Sequence, residues 1–363
     1  MRKRLTLVAA LAAASSFLVV TQLAAGASSS AVRVIATGLN NPRGVEVAPD
    51  GSVFVAQAGA TGKKCMKGGG EGSDETCVGF TGSIDRVAGG QRERWAAGFF
   101  SAGGRDGSFA VGMDDIAIAP DGAVYGIQTA VGPKPEQYGK KIARQSGFVF
   151  RIDRGKHKRI GENVAEYEFK NNPANDNVDS DPYGIAWSPL GLAVADAAGN
   201  SLLLVPAKGR KPVTTLATFK GQIFGGHAAQ SVPTSVVWHN GAFYVGELGG
   251  GGTPNGRSRI WKVVPGEKPT VWATGFTAIT GIAFGPDGSL FVTELAKNGL
   301  DAAFEKGDLT GALIRVWPDG HRTEVAPGRL MAPAGAAVGA DGTVYVSNFS
   351  LFRSKGQLLA ITP

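Results

Sequence analysis

The chain is short of the groups that most often carry chemistry. It has two cysteines and four histidines in 363 residues, and only 18% of its residues are charged. Cys65 and Cys77 are separated by eleven residues, a spacing that excludes a CxxC redox or zinc motif. No GxSxG and no HExxH occurs, so neither a hydrolase elbow nor a zinc-protease helix is written here. Lys and Arg are scattered rather than run together, which excludes the basic footprint of a nucleic-acid binder. Beyond the first twenty residues, no apolar run is long enough to span a bilayer.

What is abundant is glycine, 54 residues, with 19 prolines beside 43% apolar content. That composition fits many short strands joined by tight turns, and no collagen-like triplet accompanies it. At the N-terminus, Arg2, Lys3 and Arg4 precede an apolar run from Leu5 to Val20, and Ala25-Gly26-Ala27 follows. This predicts a signal peptide over 1–27, cut between Ala27 and Ser28, and hence a secreted, extracellular chain. Removing three cations leaves 34 basic against 30 acidic residues, a charge near +4. In an oxidising compartment the two cysteines are expected to form a disulfide across a loop with no core of its own.

One phrase, strand–turn–strand, recurs six times, at 42–57, 113–128, 182–196, 233–247, 279–294 and 333–348. Its turn glycines are Gly51, Gly122, Gly191, Gly241, Gly288 and Gly342, placed where a tight hairpin needs positive φ. A second hairpin follows each phrase, with third strands such as GSIDRV (82–87) and GALIRV (311–316). Fourth strands are plain in blades one, three and four and less distinct in two and five. Six units of four strands predict an all-β, six-bladed propeller filling residues 28–363 as one domain. The sixth unit stops after its third strand, and VIATGL (34–39) matches the fourth-strand phrase VWATGF (271–276). The N-terminal strand is therefore expected to complete the last blade, leaving no free edge. No helix is required by the pattern.

The phrases GLNNPRGVEVAPDGSVFVAQAG and GIAFGPDGSLFVTELA, with the arginine of the third strand, resemble the ScyD/ScyE family. These are predicted secreted propellers named for an association with scytonemin pigment biosynthesis. The likeness covers the mature chain, shares its grammar with NHL repeats and implies fold more strongly than activity.

Loops after the first and third strands are short, and those after the second and fourth are long: 58–81, 99–112, 129–146, 170–181, 220–232, 248–257 and 295–310. The long-loop face is the expected binding face. Two columns of residues are expected to approach the channel mouth there. The first precedes the innermost strand: Arg43, Asp114, Tyr183, Thr234, Thr280 and Ala334. In gluconolactonase-like propellers the equivalent position and its neighbours hold catalytic calcium. One carboxylate cannot supply the six to eight oxygens that calcium takes, so that site does not carry over. The second column ends the second strand: Gln57, Gln128, Asp196, Glu247, Glu294 and Asn348. These six are expected chiefly to bind loop backbone, with Asp196, Glu247 and Glu294 brought towards one region by pseudosymmetry. The third-strand cations Arg86, Arg151, Lys262 and Arg315 fall too far along the strand to neutralise them. His227 is the one histidine on the long-loop face; His157, His239 and His321 fall at the other.

The leading expectation is a binding or scaffold propeller that takes a small molecule, a glycan or a protein on its long-loop face. It is expected to be monomeric, with no nucleic-acid partner, no membrane span and no assigned cofactor or metal. The alternative is a divalent-metal-dependent lactonase or hydrolase, with calcium held by Asp114 and the second column. A quinone-dependent sugar dehydrogenase is a third reading, because FVTE after a PDG turn resembles those propellers too.

Overall fold

A computed structural model describes residues 30–70, 73–207 and 212–363. The segment expected to be a signal peptide, with its expected cleavage point, lies outside the described residues.

Six antiparallel sheets of at least four strands form the blades of a six-bladed β-propeller. Blade 1 is built from Pro42–Val47, Val53–Gln57, Ser73–Ala88 and Gln91–Gly103. Blades 2 to 5 repeat the order, starting at Met113, Pro182, Pro233 and Ile279. Each innermost strand touches those of both neighbouring blades, and blade 6 meets blade 1, so the ring is closed. The closing strand is Ala31–Leu39, paired antiparallel with Gly356–Thr362 from Ala31↔Thr362 to Leu39↔Gly356. Both indistinct fourth strands form as well, Lys156–Ile160 in blade 2 and Arg322–Val325 in blade 5.

Between blades, apolar side chains fill a continuous series of cores. The second strands are buried at every position in blades 1 to 5, as strands packed on both faces must be. At the short turns, five of the six glycines have φ between 79° and 82°, and Gly191 has 139°. Third-strand arginines serve these turns: Arg86 pairs with Asp50 at 2.7 Å, and Arg315 with Asp287. That places them at the short-turn face, away from the second column.

Two expectations need correction. Residues 58–81 are not a bare loop. Lys64–Gly70 pairs with the outward extension of Ser73–Ala88, and Cys65 lies directly opposite Cys77, to which it is disulfide-bonded. A small cluster of Val78, Phe100, Ala102, Tyr138 and Ile142 gives this hairpin a core. Helices also occur, at Lys140–Ala143, Val164–Asn171 and Leu300–Lys306. The second of these was legible: Asn163 caps it by accepting the Glu166 N–H at 3.1 Å, three residues on, in the spacing of a capping box.

Candidate functional site

The first column sits on a repeated backbone device. In blades 1 to 5, the first residue of the inner strand pairs with the second-column residue: Pro42↔Gln57, Met113↔Gln128, Pro182↔Asp196, Pro233↔Glu247 and Ile279↔Glu294. The register slips immediately afterwards, at Arg43-Gly44, Asp114, Tyr183, Thr234 and Thr280. Each first-column residue in these blades is therefore on a β-bulge, which turns its side chain out of the blade. Asp114, Tyr183, Thr234, Thr280 and Ala334 line one narrow cavity on the propeller axis.

That cavity is small because the inner strands crowd. A Cβ on Gly44 would stand 1.7 Å from Asp115 Oδ1, and one on Gly335 would stand 2.7 Å from the Arg43 carbonyl oxygen. The volume is about 30 Å³, room for a water molecule. Arg43 closes the long-loop end. Its guanidinium lies 3.6 Å from Asp114, donates to the Ala110 carbonyl at 2.8 Å and stands 5.9 Å over the Tyr183 ring. Thr234 and Thr280 donate to the Ile279 and Pro333 carbonyls at 2.6 and 3.0 Å, tying each inner strand to the next.

Carboxyls outnumber cations along the axis. Asp114 is 1% exposed, and neither of its oxygens accepts a hydrogen bond among the described residues. Burial, with Asp181 nearby and Arg43 opposing, holds its pKa well above the ordinary value. Burial raises Asp115 to about 7 although it accepts the Ile185 and Ile116 N–H groups. Burial and Asp115 together raise Glu46 to about 8. Burial likewise pushes Tyr183 up to about 12. Glu46 and Asp115 were not singled out from the sequence; a carboxylate inside the apolar alternation of two inner strands was the available signal.

The second column does not reach the axis. It is buried between blades, and five of its six members bind the residue two positions ahead of the repeat phrase of their own blade. Gln57 accepts the Asn40 N–H at 2.8 Å, Glu294 that of Thr277 at 2.9 Å and Asn348 that of Met331 at 2.8 Å. Asp196 and Glu247 accept the hydroxyls of Ser180 and Ser231 at 2.6 and 2.5 Å. Gln128 donates instead to the Phe100 carbonyl at 3.0 Å. Glu247 is further held by Arg259 at 2.6 Å and by the Trp261 indole N–H at 2.9 Å. Burial raises Asp196 and Glu294 to about 7. The expected convergence of Asp196, Glu247 and Glu294 does not occur, because each carboxyl is turned onto its own loop. Among the described residues, Cys65, Glu75 and Cys77 alone bring three candidate ligand atoms within 4.8 Å, and their two sulfurs are bonded to each other.

On the long-loop face, His227 is exposed on a small hairpin, Gln222–Phe224 with His227–Ala229, whose Gln222 amide donates to the second-column Glu247 at 3.4 Å. Sequence reading missed a pair of exposed aromatics there. Phe109, from the connection between blades 1 and 2, is 51% exposed, and Phe304, on the helix Leu300–Lys306, is 58% exposed. Their rings lie 6.3 Å apart. Phe109 adopts φ +54° while its N–H donates to the Leu351 carbonyl at 3.0 Å.

No protein-family model matches the chain, and no curated protein is similar to it. Solved structures do match. A protein of unknown function from Bacteroides thetaiotaomicron aligns at TM-score 0.56 and 11% identity, over 92% of this chain and 76% of its own. A putative glucose dehydrogenase from Thermus thermophilus gives 0.54 and 17%, over 92% and 100%. Regucalcin of Agrobacterium tumefaciens, a calcium-binding protein, gives 0.53 and 15%, over 91% and 93%. The likeness is one of fold. At these identities, membership of the ScyD/ScyE family is not shown.

Proposed function

We propose that the chain is a secreted binding propeller of the ScyD/ScyE kind, with no turnover of its own. It takes a small molecule, a glycan or a protein segment on the long-loop face. The observation that carries this reading is the Phe109–Phe304 pair. A bulky residue at left-handed φ costs on the order of 1–3 kcal/mol, and here that conformation holds an aromatic ring in solvent beside a second one. Exposed aromatic surface of this kind is characteristic of recognition sites. Secretion is supported by the N-terminal pattern and the disulfide. Among the described residues, no helix is long and apolar enough to cross a membrane.

The lactonase and dehydrogenase readings find less support. The axial hydroxyls are committed to neighbouring strands, and Arg43 stands against the one first-column carboxylate. The test is a binding panel of oligosaccharides and planar apolar molecules, read by calorimetry on wild type and on Phe109→Ser/Phe304→Ser. Affinity should fall at least about tenfold in the variant while its melting temperature holds, because both rings are exposed. Turnover of a lactone, ester or sugar by protein purified without chelator would overturn the proposal.

A further inference from the structure

The axial channel has a second opening, and its chemistry differs from that of the first. At the short-turn face, the ends of the inner strands of blades 1 to 4 surround a cavity of about 310 Å³. Ile118, Trp187, Trp238, Pro49 and Pro120 line it, with Glu46. Glu46 and Val236 line the narrow axial cavity as well, so they form the partition between the two. The vestibule thus carries two tryptophans, polar and apolar surface in near-equal measure, and one ionisable group, at its inner end.

That group has no cationic partner. Glu46 makes no ion pair within 4.0 Å among the described residues. The charged groups around it are acidic on balance. Asp115 approaches from the inner strand of blade 2, and Asp114, Asp181 and Tyr183 lie further along the axis, where Arg43 is already engaged by Asp114. On the outer side, Asp50, already paired with Arg86 at 2.7 Å, and Asp121 are exposed on the neighbouring turns, and His239 is stacked on Phe284 at 3.9 Å. Once ionised, Glu46 therefore has no counter-charge at ion-pair distance among the described residues.

The geometry points to a binding site for a small organic cation in this vestibule, an alkylammonium group seated between the Trp187 and Trp238 walls with its charge towards Glu46. A bare metal ion fits poorly, since calcium takes six to eight oxygens, carboxylates prominent among them, and Glu46 is the one carboxyl in this lining. An alkylammonium needs the reverse: one counter-charge, aromatic faces and an apolar envelope, with indole the most favourable ring. A volume of about 310 Å³ lies at the lower end of small-ligand sites and admits a tetraalkylammonium or choline-sized body. The site faces away from Phe109 and Phe304 and does not depend on the function proposed for that face.

The experiment is calorimetry on the full mature chain with choline, benzyltrimethylammonium and 3,3-dimethylbutan-1-ol, the neutral analogue of choline. Wild type should bind the two cations at least about tenfold more tightly than the alcohol. Glu46→Gln should abolish that preference, and Trp238→Leu should weaken all cation binding with Glu46 intact. Because these cations do not titrate, affinity should rise with pH up to about 8, where Glu46 releases its proton unaided. Equal affinity for choline and the alcohol in wild type would overturn the assignment. So would a preference retained in Glu46→Gln, or lost in neither variant. Thermal melting of each variant confirms that the fold persists, and Trp238→Leu stands as an independent arm should Glu46→Gln not fold.

Discussion

At the scale of single residues, the site positions divide by what their oxygens touch. Glu247 is fully buried and satisfied by Arg259, Trp261 and Ser231, so it holds the long loop of blade 4 in place. Glu247→Ala would leave Arg259 without its counter-charge and should cost about 3–5 kcal/mol in denaturant unfolding, whereas Glu247→Gln should cost less. A loss below about 1 kcal/mol for the alanine variant would mean that the network contributes little. Gly44 belongs to a different class. Its missing Cβ makes room for Asp115, which bridges to blade 3 through the Ile185 N–H. Gly44→Ala should be destabilising by about 1–3 kcal/mol through overpacking, and chemical unfolding measures it directly. Nothing in the repeat phrase separates these roles, because a carboxylate at a strand end reads alike whether it meets a loop amide or a ligand.

At the scale of elements, the strand contributed by the N-terminus is the one the ring depends on. Its seven pairs with Gly356–Thr362 cover an edge that would otherwise be open. Deleting 28–39 should lower the melting temperature sharply or cause association, while deleting 28–31 removes one pair, Ala31↔Thr362, and should change little. Equal melting of both truncations as monomers would refute the closure. The disulfide hairpin is a local element. Intact mass of non-reduced protein should be about 2 Da below that of the reduced chain. Reduction should cost at most about 3 kcal/mol, because the closed loop is short. The helix Val164–Asn171 shows why element type was only partly legible. The strand repeat of the whole chain outweighed a cap-and-charge signal confined to a few residues.

At the scale of the whole molecule, folding raises the pKa of six carboxyls among the described residues: buried Asp114 well above its ordinary value, buried Glu168 to about 8, buried Asp196 and Glu294 to about 7, and the half-buried Glu46 and Asp115 to about 8 and about 7. Each holds a proton in the folded state at a pH where the unfolded chain has released it. Their contribution to stability is therefore complete below about pH 4 and is lost as pH rises through 7 to 8. Asp50 and Asp287 act oppositely, since the Ser52 and Ser289 groups and their arginine partners depress them, and that stability is lost in acid. The melting temperature should be highest near pH 5 and decline towards pH 9, with the decline shallower in Glu46→Gln. A profile flat from pH 5 to 9 would mean that these carboxyls are hydrated as the protein breathes.

The repeat by itself determined the number of blades, their four strands and the terminal closure, and the presence of two cysteines alone pointed to the pairing of Cys65 with Cys77. These follow from period, turn chemistry and count, all of them local or additive along the chain. Of the residues that line the axis the repeat named five members of the first column, which sits at one fixed offset in every phrase, and missed Glu46 and Asp115. What only the tertiary structure decided was direction. A one-residue bulge sends Asp114, Tyr183 and Thr234 to the channel, while the partners across the ladder, Asp196 and Glu247, turn into the loops. Strand alternation carries no record of a bulge, so both columns read as one mouth. The crowding of inner strands at Gly44 and Gly335, which narrows one end of the channel and leaves the vestibule at the other, likewise arises between blades distant in sequence. Packing of that kind is set by the closed ring, in which every blade constrains the next.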